Sequence, residues 1–325
     1  MEKRVMLRMM LFSILLSLLT VNVSAASKVD LILDWVPNTN HTGLYVAKAK
    51  GYFDAIGVDL EIRRPPEGST TELVGLGQSQ FGISFQDSLA HRFAKGLPVT
   101  AVAAILEHNT SGVIANESTN IKSPKDMAGF KYGTWNDPTE LAMLKYIIEL
   151  DGGDYSKMEL VPNQADNSVV GLANNQFDAA WIYYAWDGIM AEHQKVPTKF
   201  FFFKDYAKEL DFYSPVIIAN NDYLSKQPEQ AKAILQAIKK GYQYAAEHPE
   251  EAADILIQAA PELKDQRDFV VASQKWIAAH YADDVSKWGV IDKTRWDSFY
   301  QWLVDHELVD KTLLDGTYFD NSFIQ

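Results

Sequence analysis

Short apolar runs alternate along this chain with segments whose apolar positions recur every three or four residues. Val29 to Leu33, Val58 to Ile62, Phe81 to Phe85 and Val99 to Leu106 read as strands. Between them, Thr42 to Lys50 (closed by Gly51), Thr70 to Gly77 and Asp87 to Lys95 read as helices. This rhythm predicts an α/β layer with parallel strands.

The pattern restarts at Ser123. "SPKDMAG" predicts a short helix with Ser123 as N-cap, Pro124 in the first turn and Gly129 as the stop. Strand Lys131 to Thr134 follows. "NDPTE" opens a longer helix, capped by Asp137 with Glu140 closing a capping box, and Gly152-Gly153 ends it. Strand Met158 to Val161, helix Ser168 to Asn174, strand Asp178 to Ile182, helix Trp186 to Gln194 and strand Lys199 to Phe203 complete a second α/β unit.

Beyond about Asn220 only helical patterns remain: two helices broken at His248-Pro249, then others near Asp268 to Tyr281 and Thr294 to Glu307. Without strands of their own, these helices must pack on an earlier unit. The chain is therefore expected to return to its first lobe, crossing at "SGVIAN" (Ser111 to Asn116) and "SPVIIAN" (Ser214 to Asn220). The expected division is 27–112 for the first part of lobe 1, 113–215 for lobe 2 and 216–325 for the helical return. Two lobes joined by two crossings enclose a cleft that closes by hinge bending, lined by loops at the carboxyl ends of the strands.

Those loops are aromatic and neutral-polar. The first strand ends in Asp34, Trp35, Asn38, Asn40 and His41, with Tyr45 one turn into the next helix. Ser84 lies near the end of the third strand and Gln86 follows it. Trp135 and Asn136 follow Lys131 to Thr134. "WIYYAWDG" sets Trp181, Tyr183, Tyr184, Trp186 and Asp187 within seven positions, and Tyr213 precedes the second crossing. The inventory suits a planar heterocycle: aromatic faces stack on it, amides and hydroxyls read its edges, and Asp187 can favour a protonated ring nitrogen. Trp181 and Tyr183 serve core packing as readily as the cleft, because alternation sends Ile182 the other way. Glu140 is better explained by capping than by ligand contact.

Composition narrows the function. The 325 residues carry a net charge of −13, which disfavours nucleic acid as a partner, since phosphate binding needs a basic surface. No cysteine is present, so disulfides and thiolate sites are excluded. Lys3, Arg4 and Arg8, the apolar run Met9 to Val21 and Val23-Ser24-Ala25 form a secretory leader expected over 1–26; the run is shorter than the roughly 20 residues that span a bilayer. Its removal leaves the remainder still more acidic. The expected place is the periplasm, as a freely diffusing monomer. The sequence has no G-x-S-x-G elbow, phosphate loop or H-E-x-x-H, so no catalytic residue is assigned. His91, His108, His193, His248, His280 and His306 stand singly, without metal-site spacing. Neither a metal nor a cofactor is expected.

"LDWVPNTNHTGLYVAKAKGYFDAIGVDLEI", "GQSQFGISFQDSLAHRFAKGLPVTAVAAIL", "SPKDMAGFKYGTW" and "QFDAAWIYYAWDG" resemble the ThiY-type periplasmic proteins of the NMT1/THI5-like superfamily, which bind pyrimidine precursors of thiamine for an ABC importer. The resemblance covers nearly the whole chain after the leader. It implies a type II periplasmic-binding fold and a formylaminopyrimidine or hydroxymethylpyrimidine held by Trp35, Asn38, His41, Tyr183, Tyr184 and Asp187. It also implies an ABC permease as partner, with its ATPase on a separate chain. Riboflavin or another flat heterocycle is the alternative ligand. Fungal pyrimidine synthases of the same superfamily place a reactive Lys and His where this chain reads "GISFQDS", which holds neither; an enzyme of that kind is not expected.

Overall fold

The computed structural model describes residues 26–65, 69–163 and 167–325; the expected leader, apart from Ala26, lies outside them. Ten strands form two five-stranded sheets among the described residues. One contains β1 (Ser27–Ile32), β2 (Val58–Arg63), β3 (Phe81–Ser84), β4 (Val99–Ala104) and β10 (Val216–Asn220), in the order β2-β1-β3-β10-β4. The other contains β5 (Ser111–Asn116), β6 (Lys131–Thr134), β7 (Glu159–Pro162), β8 (Ala179–Tyr183) and β9 (Thr198–Phe202), in the order β7-β6-β8-β5-β9.

The sheets are mixed, which corrects the all-parallel expectation. β10 runs antiparallel to β3 and β4, and β5 antiparallel to β8 and β9. Each of these strands follows a passage from the other lobe and so enters its new sheet from the cleft side, against its neighbours. They are not paired with each other. The passages themselves lie just ahead of them and are tied together: Asn109 donates through its backbone N–H to Asp211 (2.9 Å) and through Nδ2 to the Leu210 carbonyl (2.8 Å).

Helices cover both sheets. They are α1 (Thr42–Ala49), α2 (Thr70–Gly75), α3 (Gln86–Phe93), α4 (Pro138–Leu150), α5 (Ser168–Ala173), α6 (Ile189–His193), α7 (Phe203–Tyr206), α8 (Asn221–Lys226), α9 (Pro228–Glu247), α10 (Pro249–Ala259), α11 (Arg267–Ala278) and α12 (Lys293–Asp305). The capping box expected for α4 is present: Asp137 accepts the Thr139 and Glu140 amides, and Glu140 accepts the Asp137 amide. "SPKDMAG" is one 3-10 turn, Pro124–Met127, rather than an α-helix. The helix expected from Trp186 begins earlier, as a π-helical turn at Tyr184–Gly188.

Of the helices after Asn220, α9 packs against α1. α9 crosses α1 at Gly43 and Gly241, so closely that a Cβ on Gly241 would sit 2.0 Å from the Gly43 carbonyl oxygen; only glycine permits that approach. α11 reaches the other lobe, where Phe269 meets Trp186 edge-on at 4.6 Å. A C-terminal contact escaped the sequence reading: Phe319 bridges to Ala101 and seals the exposed edge of β4.

Candidate functional site

The loop after β1 is held by hydrogen bonds among its own polar groups. Asn38 caps the turn Thr39–His41, its Oδ1 accepting the Asn40 amide at 2.9 Å. The His41 Nδ1 accepts the Asn38 amide at 3.2 Å. That fixes the tautomer, so Nε2 carries the proton and donates to Asp34 Oδ1 at 2.7 Å. Two buried phenols clamp the loop from behind: Tyr242 donates to the Asn40 carbonyl (2.7 Å) and Tyr281 to the Thr39 carbonyl (3.0 Å).

Ser273 on α11 joins this loop to the opposite lobe. Its hydroxyl shares a 2.7 Å hydrogen bond with Thr39 Oγ1 and donates to the Ala185 carbonyl in the π turn. Along the end of β8 and that turn, Tyr183, Trp186 and Asp187 fall at i, i+3 and i+4 and present one face. All three line a cleft of about 420 Å3 between the sheets. Asp34, Trp35, Asn38, Asn40 and Phe85 form its wall on the lobe 1 side, and Trp135, Asn167 and Ser168 complete the lobe 2 side.

Single exposed apolar side chains are ordinary, whereas large ones gathered on one concave surface point to a binding site. Trp35 is 46% exposed and Trp135 59%, and both face this cleft from opposite lobes. Behind Trp135, Glu140 accepts from Tyr132 (3.1 Å), Thr134 (2.8 Å) and the Trp135 amide (3.2 Å), which holds that loop in place. Phe85 and Tyr183 stack across the floor with centroids 5.9 Å apart. The Tyr183 hydroxyl hydrogen-bonds to Ser214 (3.1 Å), and burial raises its pKa. Burial likewise pushes the Asp187 carboxyl up to about 6, against the pull of the Asp187 and Tyr183 backbone. A carboxyl raised in this way takes up its proton at a higher pH than an exposed carboxylate does.

Of the residues singled out from the sequence, Asp34, Trp35, Asn38, Asn40, Trp135, Tyr183, Trp186 and Asp187 meet at the cleft. The others stand behind it. His41 is fully buried and orients Asp34. Ser84 bonds to Thr71 (2.8 Å). Gln86 is buried, donating to the Trp296 carbonyl and accepting the Tyr213 amide. Tyr213 accepts the Asp292 amide through its hydroxyl. Trp181 packs against Phe203, and Tyr184 packs among Phe200, Phe202 and Trp276 while donating to Glu192. Tyr45 is half-buried near Arg64 and Glu262, its phenol pushed up to about 12 chiefly by burial.

Three lining residues were missed: Phe85, Asn167 and Ser168. Alternation at the end of β3 sends Ser84 and Gln86 one way and Phe85 the other; the parity was read the wrong way round. Asn167 caps α5, accepting the Val170 amide at 2.8 Å, and a helix cap in the segment that follows a strand was a usable signal.

Comparison with known proteins supports this architecture. An alkanesulfonate-binding protein from Xanthomonas axonopodis pv. citri superposes with a TM-score of 0.69 at 11% identity, covering 92% of this chain and all (100%) of that one. The fold is that of the type II periplasmic-binding proteins. A formylaminopyrimidine-binding protein of Halalkalibacterium halodurans is 25% identical over 299 residues, 89% of this chain and 88% of that one. A 4-amino-5-hydroxymethyl-2-methylpyrimidine phosphate synthase of Legionella pneumophila is 29% identical over 251 residues, 74% of this chain and 76% of that one. The family model described as NMT1/THI5-like matches residues 38–252. The chain belongs to the NMT1/THI5-like family.

Proposed function

We propose that this protein is a periplasmic solute-binding protein that delivers a thiamine pyrimidine precursor, formylaminopyrimidine or hydroxymethylpyrimidine, to an ABC importer. The observation that carries the reading is the pair Trp35 and Trp135, exposed on opposite walls of one cleft. Closure of two such faces on a flat ring buries both and excludes water, while Asn38, Asn40, Asn167 and Asp187 are placed to read the ring edge. The formylaminopyrimidine-binding relative supports the ligand class.

In this reading 27–112 and 216–325 form one lobe and 113–215 the other, the leader is cleaved, and the closed monomer presents both lobes to a membrane permease whose ATPase is a separate chain. Among the described residues no helix is long and apolar enough to cross a membrane.

A second reading is favoured by the synthase relatives: an enzyme that makes the pyrimidine rather than carrying it. The segment Gly82 to Ser88, without Lys or His, speaks against it. Quenching of tryptophan fluorescence by either pyrimidine, followed by mass spectrometry of protein and ligand after a long incubation, separates the two. A carrier returns both unchanged; a synthase alters one of them.

A further inference from the structure

His108 lies in the first passage between the lobes, immediately before the bond to the second passage. Its Nδ1 donates to Asp211 Oδ2 on that second passage at 2.7 Å. Asp211 is held in place by the Asn109 amide and by Arg295, 3.6 Å away. In the neutral ring this arrangement leaves the Nε2 lone pair directed outward. There it meets another acceptor, Asp283 Oδ2, at 3.4 Å. Two acceptors facing each other repel unless a positive charge lies between them. Glu107 completes the constellation: donor atoms of Glu107, His108 and Asp283 all lie within 4.8 Å of one another. Its Oε2 also accepts the Asp283 amide at 2.7 Å, which brings the two carboxylates to the same side.

We propose that Glu107, His108 and Asp283 bind a zinc-type divalent cation at the hinge. Two carboxylates and one imidazole leave a fourth position for water, a donor set that suits zinc better than magnesium or calcium, which favour oxygen alone. A carboxylate behind the ligating ring, as Asp211 is here, fixes the tautomer and strengthens the nitrogen as a donor. Glu107 and Asp283 also line a surface groove of about 590 Å3, which gives the ion and its water room. The site clips the loop after α11 to the first passage, while Asp211 anchors the same ring to the second. A cation there braces the region about which the lobes turn. The site is separate from the cleft, and its test does not depend on the pyrimidine reading.

The test is calorimetric titration of the untagged, chelator-treated protein with zinc chloride at pH 8, with magnesium chloride as control. The expected result is one saturable zinc equivalent and no magnesium response. Asp283→Asn, at a side chain 80% exposed and so harmless to folding, and His108→Gln should each weaken binding at least tenfold. Circular dichroism checks that both variants remain folded. Absence of saturable zinc binding, with His108 simply titrating by NMR, would put a proton in the gap and overturn the proposal. Unchanged zinc binding in both variants would assign the ion to other surface carboxylates and overturn it equally.

Discussion

His41 and Asp34 meet at 2.7 Å, with the imidazole buried and the carboxylate at the cleft wall. The ring is locked from its other side by the Asn38 amide, so a histidine that never touches the cleft sets the direction of a carboxylate that does. His41→Ala removes that support and leaves the Asn38 amide unpartnered. The expected effect is a stability loss of about 1 to 3 kcal/mol and ligand affinity lowered at least tenfold. Urea unfolding and titration measure the two separately; an unchanged affinity would detach Asp34 from recognition.

Trp35 and Trp135 should behave in the opposite way. Both side chains are exposed at the cleft, so Trp35→Ala and Trp135→Ala should change stability by no more than about 0.5 kcal/mol. Each should weaken pyrimidine binding about tenfold or more, the equivalent of roughly 1.4 kcal/mol. A thermal melt beside a binding isotherm for each variant distinguishes this from a structural role, which would lower both.

How much of this was legible in the sequence depends on the range of the interaction. Elements set by local signals were placed to within a residue or two: β6 lies at Lys131 to Thr134, and the Asp137-Pro138-Glu140 cap begins α4. The crossing strands were recognisable as buried apolar runs, but not their direction, which is fixed by the passage between lobes. At the cleft, single parity decided the outcome. Tyr183 was placed and Tyr184 misplaced, because a π turn inserts between strand and helix. Asp283, 176 residues from Glu107, had no sequence signal to join it to its neighbours.

Glu140 should be structural and should act on Trp135 through the loop. It gathers two hydroxyls and two amides, and burial raises its pKa in spite of them. Glu140→Ala leaves those donors unpaired and removes the cap, for an expected loss of about 2 to 3 kcal/mol. Chemical denaturation reads the stability change, and the Trp135 fluorescence maximum reads the loop.

Asp87 makes the fold pH-dependent in a direction opposite to most carboxylates. Burial pushes its carboxyl from 3.8 up to about 6, aided by nearby Asp137 and opposed by its own backbone, Ser88 and Arg92. One of its oxygens has no hydrogen-bond partner. A raised carboxyl pKa means that this contribution is fully present below about pH 4 and is lost as pH rises through about 6. Asp87→Asn removes the penalty and should raise stability at pH 8 by about 1 to 3 kcal/mol, with little change at pH 4. Melting curves of both proteins across that range check the sign; a variant less stable at pH 8 would mean that the carboxylate is paired in solution.

The central claim is that the Trp35 and Trp135 walls close on a pyrimidine. Calorimetric titration of the refolded, ligand-stripped protein with hydroxymethylpyrimidine, its formylamino analogue, thiamine and riboflavin tests it most directly. The account predicts one-to-one submicromolar binding of one of the two pyrimidines, with riboflavin silent. Tight riboflavin binding and no response to either pyrimidine would contradict it.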